Sequence, residues 1–334
     1  DEVIVDITIK NPSLQAKKRT EVDIMKTIHD LVYEKAKVKV NVKVDAPKTD
    51  SVNQIKGNPI PGIKNIVAVA SGKGGVGKST VTSNMAATLS KMGFKVGILD
   101  ADIYGPSIPI MFDVADARPL AVNIDGKSKM KPVENYGVKI LSIGFFTQPN
   151  QAVIWRGPMA AKALNQMIFD AAWGELDFLL IDLPPGTGDI HLSIMQSLPI
   201  TGAVVVSTPQ NVALADAKKG VAMFQQENIN VPVLGMVENM SYFTPKELPD
   251  NKYYIFGQEG DKNLAEDIGV PFLGEIPLVQ SVREAGDIGR PAALQTATPI
   301  EEAFENLTRN VVQEVVNRNT DLPPTEAIQI TTMA

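Results

Sequence analysis

The sequence of 334 residues contains no cysteine. That removes disulfides, thiolate metal sites and cysteine nucleophiles together. Histidine is nearly as scarce: His29 falls among apolar helix positions and reads as packing, and His191 is an isolated imidazole, a poor metal candidate. No apolar run approaches the roughly eighteen residues of a membrane span. Positive charge is in deficit. Lys+Arg number 32 against 38 Asp+Glu, a net −6, which argues against nucleic acid or an anionic membrane as partner. No signal peptide is visible, although the chain starts at Asp1 rather than methionine, so what precedes Asp1 stays open. A cytoplasmic location is the expectation. With 44% hydrophobic and 21% charged residues, the length suits one large α/β domain plus something smaller.

What is present centres on Ile66–Ala70, a short apolar run, followed at once by Ser71-Gly72-Lys73-Gly74-Gly75-Val76-Gly77-Lys78-Ser79-Thr80. Gly72, Gly77, Lys78 and Ser79 meet the P-loop pattern, with strand before and helix after. A polyphosphate needs several backbone N–H groups pointing inward, so the loop must curl tightly, and Gly74, Gly75 and Gly77 carry no Cβ to obstruct it. The following helix aims its positive end at the same phosphates. Lys78 is expected to reach the β- and γ-phosphates and the Ser79 hydroxyl to ligate Mg²⁺. Lys73 is unusual. A cation at the front edge of the loop cannot easily fold back on its own nucleotide, but it could reach phosphate bound by a second copy of the chain.

Around this stretch the pattern alternates between strand and helix, the signature of a parallel sheet covered on both faces. Strands are expected at Ile66–Ala70, Val96–Leu99, Phe178–Ile181, Ala203–Ser207, Val233–Val237 and Phe272–Gly274. Helices are expected at Lys78–Met92, Met159–Ala172, Asp189–Ser197, Val212–Glu227, Asp261–Ile268 and Ile300–Asn317, the last with an apolar docking stripe. Between Leu120 and Phe146 the chain looks irregular or hairpin-like, with Asp125-Gly126 as a tight turn. Ahead of this domain, residues 1–47 read as a small strand–helix–strand unit with Thr20 as helix cap, too short to bury its own face. Residues 48–64 read as a linker, 65–318 as the P-loop domain and 319–334 as a loosely held tail.

Two strands deliver carboxylates to their C-terminal ends, where sheets of this kind place ligands. Asp100 could hold a Mg²⁺-bound water, and Asp102 could position or deprotonate the water attacking the γ-phosphate. Phe178-Leu179-Leu180-Ile181-Asp182 is a Walker B arrangement. Pro184-Pro185-Gly186-Thr187-Gly188 after it reads as a switch loop in which the Gly186 N–H senses the γ-phosphate, with Asp189 capping the next helix. Asn239 can offer a donor and an acceptor to the edge of adenine.

Taken together, the glycine loop resembles the deviant P-loop of the MinD/ParA/nitrogenase-iron-protein class of dimeric ATPases. The stretches Asp100–Ser107, Trp155–Met159, Asp182–Asp189, Thr208–Gln210 and Glu238–Ser241 narrow the resemblance, over about residues 65–318, to the Mrp family of iron–sulfur cluster carriers. The resemblance implies an ATPase that works as a homodimer, a hydrolytic role for Asp102, adenine contacts from Asn239 and from the loop Glu275-Ile276-Pro277, and assembly or client proteins as partners. It also implies a bridging iron–sulfur cluster held by a C-x-x-C shortly after the Asn-Met-Ser stretch. Here that region reads Tyr242-Phe243-Thr244-Pro245-Lys246-Glu247-Leu248-Pro249, with no thiol. The ATPase half of the resemblance transfers residue by residue and the cluster half does not. Two rivals stand beside it: a MinD/ParA-like positioning ATPase, which needs a basic amphipathic tail that Ile300–Arg318 does not supply, and a nucleotide-dependent scaffold with little turnover.

Overall fold

The computed structural model describes residues 2–9, 23–28, 31, 33, 37–44, 60–146, 157–227, 229–245, 247–248 and 250–323. The chain divides into two compact units, Asp1–Val52 and Asn53–Ala334. In the first, β1 (Glu2–Ile9) pairs in parallel with β2 (Lys37–Val44), Val3 opposite Val38 and Val5 opposite Val40. Residues 23–28 between them are helical. Val3, Val5 and Ile7 are half-buried while Ile4 and Asp6 are exposed, so the alternation gives one sheltered face. Thr20, His29 and most of the expected linker lie outside the described residues.

The second unit is built on β3 (Ile63–Ala70), β4 (Val96–Asp100), β7 (Val133–Asn135), β8 (Val138–Ser142), β9 (Leu176–Asp182), β10 (Gly202–Ser207), β11 (Val233–Asn239) and β12 (Phe272–Ile276). They form one sheet in the order β12-β11-β10-β3-β9-β4-β8-β7, parallel except for β7. Its helices are α1 (Lys78–Lys91), α2 (Ile108–Met111), α3 (Gly157–Phe169), α4 (Asp189–Ser197), α5 (Asn211–Phe224), α6 (Gly260–Ile268), α7 (Gln280–Asp287) and α8 (Pro299–Asp321).

The near-continuous apolar strands follow from cover on both faces. Along β3, Ile66, Ala68 and Ala70 join one core with Leu164 of α3, Met195 of α4 and Phe224 of α5. Val67 and Val69 join the other, with Met85 of α1 and Phe304 of α8. The chain runs from central β3 outward to β4 and β8, returns through β9, which lies between β3 and β4, and then crosses to β10. Strand order thus reverses at β3, and the C-terminal ends of β3, β4 and β9 come together there.

Several boundaries differ from expectation. β3 starts at Ile63, paired with Leu176, so the sheet reaches into the stretch read as linker. α8 runs to Asp321, beyond the expected domain end. The segment read as irregular holds a hairpin, β5 (Leu120–Ile124) with β6 (Lys127–Lys131), turned at Asp125 (φ 52) and Gly126 (φ 78) as a two-residue turn favours. It then contributes β7 and β8 to the main sheet, which the sequence reading missed along with α2 and α7. Residues after Pro323 lie outside the description.

Candidate nucleotide-binding site

The loop between β3 and α1 walls a cleft of about 220 Å³, completed by Asp102, Ser107, Met111 and Pro185. That is smaller than the ~300–1,000 Å³ that encloses a whole small molecule, and it suits a polyphosphate. Two glycines have a steric reason. A Cβ on Gly72 would stand 2.2 Å from the Asp216 carbonyl carbon of α5, a collision with backbone. Gly77 has φ 82, and a Cβ there would meet the Asn239 amide nitrogen at 2.2 Å. Gly77 is the N-cap of α1, so the first free N–H groups of a buried helix face the cleft.

The carboxylates converge as the strand ends require. Asp100 and Asp182 are register partners on β4 and β9, and both are fully buried. The Ser79 hydroxyl donates to Asp182 Oδ2 at 2.6 Å, the Thr82 hydroxyl to Asp182 Oδ1 at 2.8 Å, and the Ser142 hydroxyl to Asp100 Oδ2 at 2.9 Å. Lys78 Nζ lies 2.8 Å from Asp182 Oδ2 and 3.9 Å from Asp102 Oδ2. Burial first, and then the Asp182 charge, push the Asp100 carboxyl up to about 8, against the pull of Ser142 and Lys78. The buried Asp100–Asp182 pair, with Asp100 holding its proton, and the Ser79 hydroxyl offer hard oxygens as ligands. That set fits Mg²⁺, which takes one or two carboxylates plus substrate phosphates. Ser79, Asp100 and Asp182 are the residues that could hold it.

Some expected contacts take a different form. Lys78 is paired with Asp182 and must turn from it to reach phosphate. Asp102 lines the cleft, but its Oδ1 accepts from the Tyr104 and Gly105 N–H groups at 3.3 and 3.2 Å, which caps a turn. The Gly186 N–H, read as a γ-phosphate sensor, already donates to the Ser71 carbonyl of the P-loop at 2.9 Å. Asn239 donates its amide to the Val76 carbonyl at 2.8 Å, so it braces the loop and keeps one amide hydrogen and Oδ1 for a base. Pro277 is buried directly after Ile276, the register partner of Asn239, so the two expected base contacts are neighbours. Asp189 is the first residue of α4; its N-cap is Gly188. Lys73 is half-buried on the loop, with no ion-pair partner for its ammonium among the described residues. Trp155 and Arg156 lie outside the description.

Thr82 and Ser142 were not anticipated. Thr82 follows Ser79 by one helical turn, a signal that was available. Ser142 ends a strand that went unrecognised and had none. In the stretch after Asn239, the described residues Tyr242, Phe243, Thr244, Pro245, Glu247 and Leu248 offer no soft ligand, so they do not fit a thiolate-held cluster. Among the described residues no helix is long and apolar enough to cross a membrane.

A strand–glycine loop–helix cradle at a switch point, with a strand-end aspartate bonded to the loop serine, defines a P-loop nucleotide-binding protein of the doubly wound α/β class. Residues 62–312 match the family model described as ParA: NUBPL iron-transfer P-loop NTPase. The chain belongs to that family. It is 48% identical over 262 residues to the iron-sulfur cluster carrier protein of Aquifex aeolicus, covering 78% of this chain and 70% of that one. It is 45% identical over 264 residues to the iron-sulfur cluster transfer protein NUBPL of Dictyostelium discoideum, covering 78% and 80%. Among solved structures, the nucleotide-binding protein of Archaeoglobus fulgidus in complex with ADP matches with TM-score 0.61 at 39% identity, over 72% of this chain and 92% of that one. The cell division ATPase MinD of Pyrococcus furiosus shares the fold, with TM-score 0.54 at 24% identity, over 75% and 98%.

Proposed function

We propose that this chain binds ATP with Mg²⁺, hydrolyses it, and uses the ATP-bound state to close a homodimer that acts in iron–sulfur cluster assembly or transfer. The observation that carries the reading is that Lys78, Ser79 and Asp102 line one phosphate-sized cleft, with the buried Asp100–Asp182 pair behind Lys78 and Ser79. The free N–H groups of the loop and of α1 hold the phosphates, and Lys78 leaves Asp182 to meet the charge that arrives with them. Ser79, Asp100 and Asp182 would hold a magnesium ion, which would supply positive charge to the phosphates. Asp102, at the cleft wall and tethered by two backbone N–H groups, orients the attacking water and accepts its proton. Lys73 reaches phosphate held by the second copy. The names of the relatives support a role with iron–sulfur clusters, which for this chain are cargo handed between partner proteins. The test is phosphate release with ATP and Mg²⁺. Turnover is expected in the wild type and a fall of about 10²-fold or more in Asp102→Ala, with ATP affinity kept. Wild-type protein that releases no phosphate overturns the hydrolytic reading, and unchanged turnover in Asp102→Ala moves the role elsewhere.

A further inference from the structure

His191 stands in the first turn of α4 and is 1% exposed, immediately behind the switch loop. Its Nε2 lies 2.9 Å from the Pro184 carbonyl oxygen. A carbonyl only accepts, so Nε2 carries the proton and donates. Burial holds the imidazole pKa below its usual value. A neutral ring has one N–H, and here it is spent on Pro184. Nδ1 is buried and has no hydrogen-bond partner among the described residues.

The loop it grips is tied to the sheet, to α4 and to the P-loop. The Leu183 N–H donates to Val69 of β3 at 3.0 Å, His191 holds Pro184, and the Gly186 N–H donates to Ser71 at 2.9 Å. The first two fix the base of the loop to the sheet and to α4. The third joins its tip to the P-loop, and Pro185 between them lines the phosphate cleft. A γ-phosphate entering that cleft competes with the Ser71 carbonyl for the Gly186 N–H, whereas a diphosphate leaves that bond alone. Where Gly186 can travel depends on how firmly Pro184 is held.

We propose that His191 is the positioning residue of this switch: by gripping the Pro184 carbonyl it sets where the Gly186 N–H meets the terminal phosphate, and so determines preference for a nucleoside triphosphate over a diphosphate. The inference rests on the nucleotide reading above, but its readout is binding and does not require hydrolysis. The alternative is a histidine that merely fills its packing site, and side-chain geometry separates the two. Glutamine places an amide nitrogen near the position of Nε2, while asparagine reaches only to that of Nδ1. Titration calorimetry with ADP and with AMP-PNP, both with Mg²⁺, gives the affinity ratio for wild type, His191→Gln and His191→Asn.

A single neutral hydrogen bond at stake predicts a ratio about three- to tenfold lower in His191→Asn, with ADP affinity unchanged. His191→Gln is expected to keep the wild-type ratio. The inference is overturned if His191→Asn keeps the ratio, if both variants lose affinity for the two nucleotides equally, or if the wild type binds both alike. Should His191→Asn fail to fold, His191→Ala and His191→Gln are compared under the same criteria. Phosphate release by the wild type in parallel keeps the two readings apart: a chain that discriminates the nucleotides without turnover loses the hydrolytic reading and retains this one.

Discussion

At the scale of single residues, the site is a balance of charge around Lys78. The ammonium is 6% exposed and pairs with Asp182, beside a second buried carboxyl whose affinity for a proton is already raised. Lys78→Ala removes the group proposed to meet the phosphates and takes from Asp182 the cation paired with it. A charge-assisted hydrogen bond contributes about 1.5–3 kcal/mol, so ATP affinity is expected to fall by roughly tenfold or more. Calorimetry with ATP and Mg²⁺ checks this, and an unchanged dissociation constant would remove the phosphate role from Lys78. Residues of this kind were legible because their motif is contiguous: Gly72 through Thr80, or a strand ending in Asp182, can be read without knowing the fold. Contacts between motifs were not. Ser142 to Asp100, Gly186 to Ser71 and Asn239 to Val76 each join segments far apart in sequence, and the last two give a donor a partner that local reading left for the nucleotide.

At the scale of elements, legibility followed how completely each was buried. Strands β3, β9 and β10 are covered on both faces and carry apolar runs of four or five residues, Ile66–Ala70, Phe178–Ile181 and Ala203–Val206. In β8, Lys139 interrupts the run and reaches out to the Trp173 carbonyl at 2.6 Å, and a hairpin precedes it, so its place in the sheet was hidden. Helix α7 fully buries only Ala285, too thin a stripe to register. Helix α8 is the opposite case. Ile300, Phe304, Leu307, Val311 and Val315 are all buried along one face, and Thr298 caps its start by accepting from the Glu301 N–H. Phe304 is 0% exposed in the core beneath α1, while Val316 is 52% exposed on the same helix. Phe304→Ala is expected to cost about 3–5 kcal/mol by leaving a cavity, and Val316→Ala no more than ~0.5 kcal/mol. Urea unfolding of the two variants provides the comparison; equal midpoints would mean that α8 is not docked through this face.

At the scale of the whole molecule, two properties follow from what the chain buries and what it lacks. Glu238, at the end of β11, and Asp261, in the first turn of α6, are buried together, and the Asp261 N–H donates to Glu238 Oε2 at 2.9 Å. Burial, and then the Glu238 charge, push the Asp261 carboxyl up to about 8. Its unfolded value is about 3.9. Between those two values the folded protein keeps a proton that the unfolded chain has released, so this group makes stability fall as pH rises across that window. Asp261→Asn removes the linkage, and its melting temperature should gain on wild type between pH 5 and pH 8. A constant difference across that range would show that Asp261 is ionised in the folded state. The second property concerns iron–sulfur clusters. A stable iron–sulfur cluster needs soft, deprotonated ligands, usually four thiolates, with imidazole replacing some of them in certain clusters. This chain has no thiol, and of its two histidines, His191 is committed to Pro184. A symmetric dimer doubles these groups without adding sulfur. Protein reconstituted anaerobically with iron and sulfide, then desalted, should therefore retain no stoichiometric cluster while phosphate release from ATP persists. Visible absorption with matching iron and sulfide content, at one cluster per dimer, would contradict this and would require ligands from outside the chain, such as a small thiol.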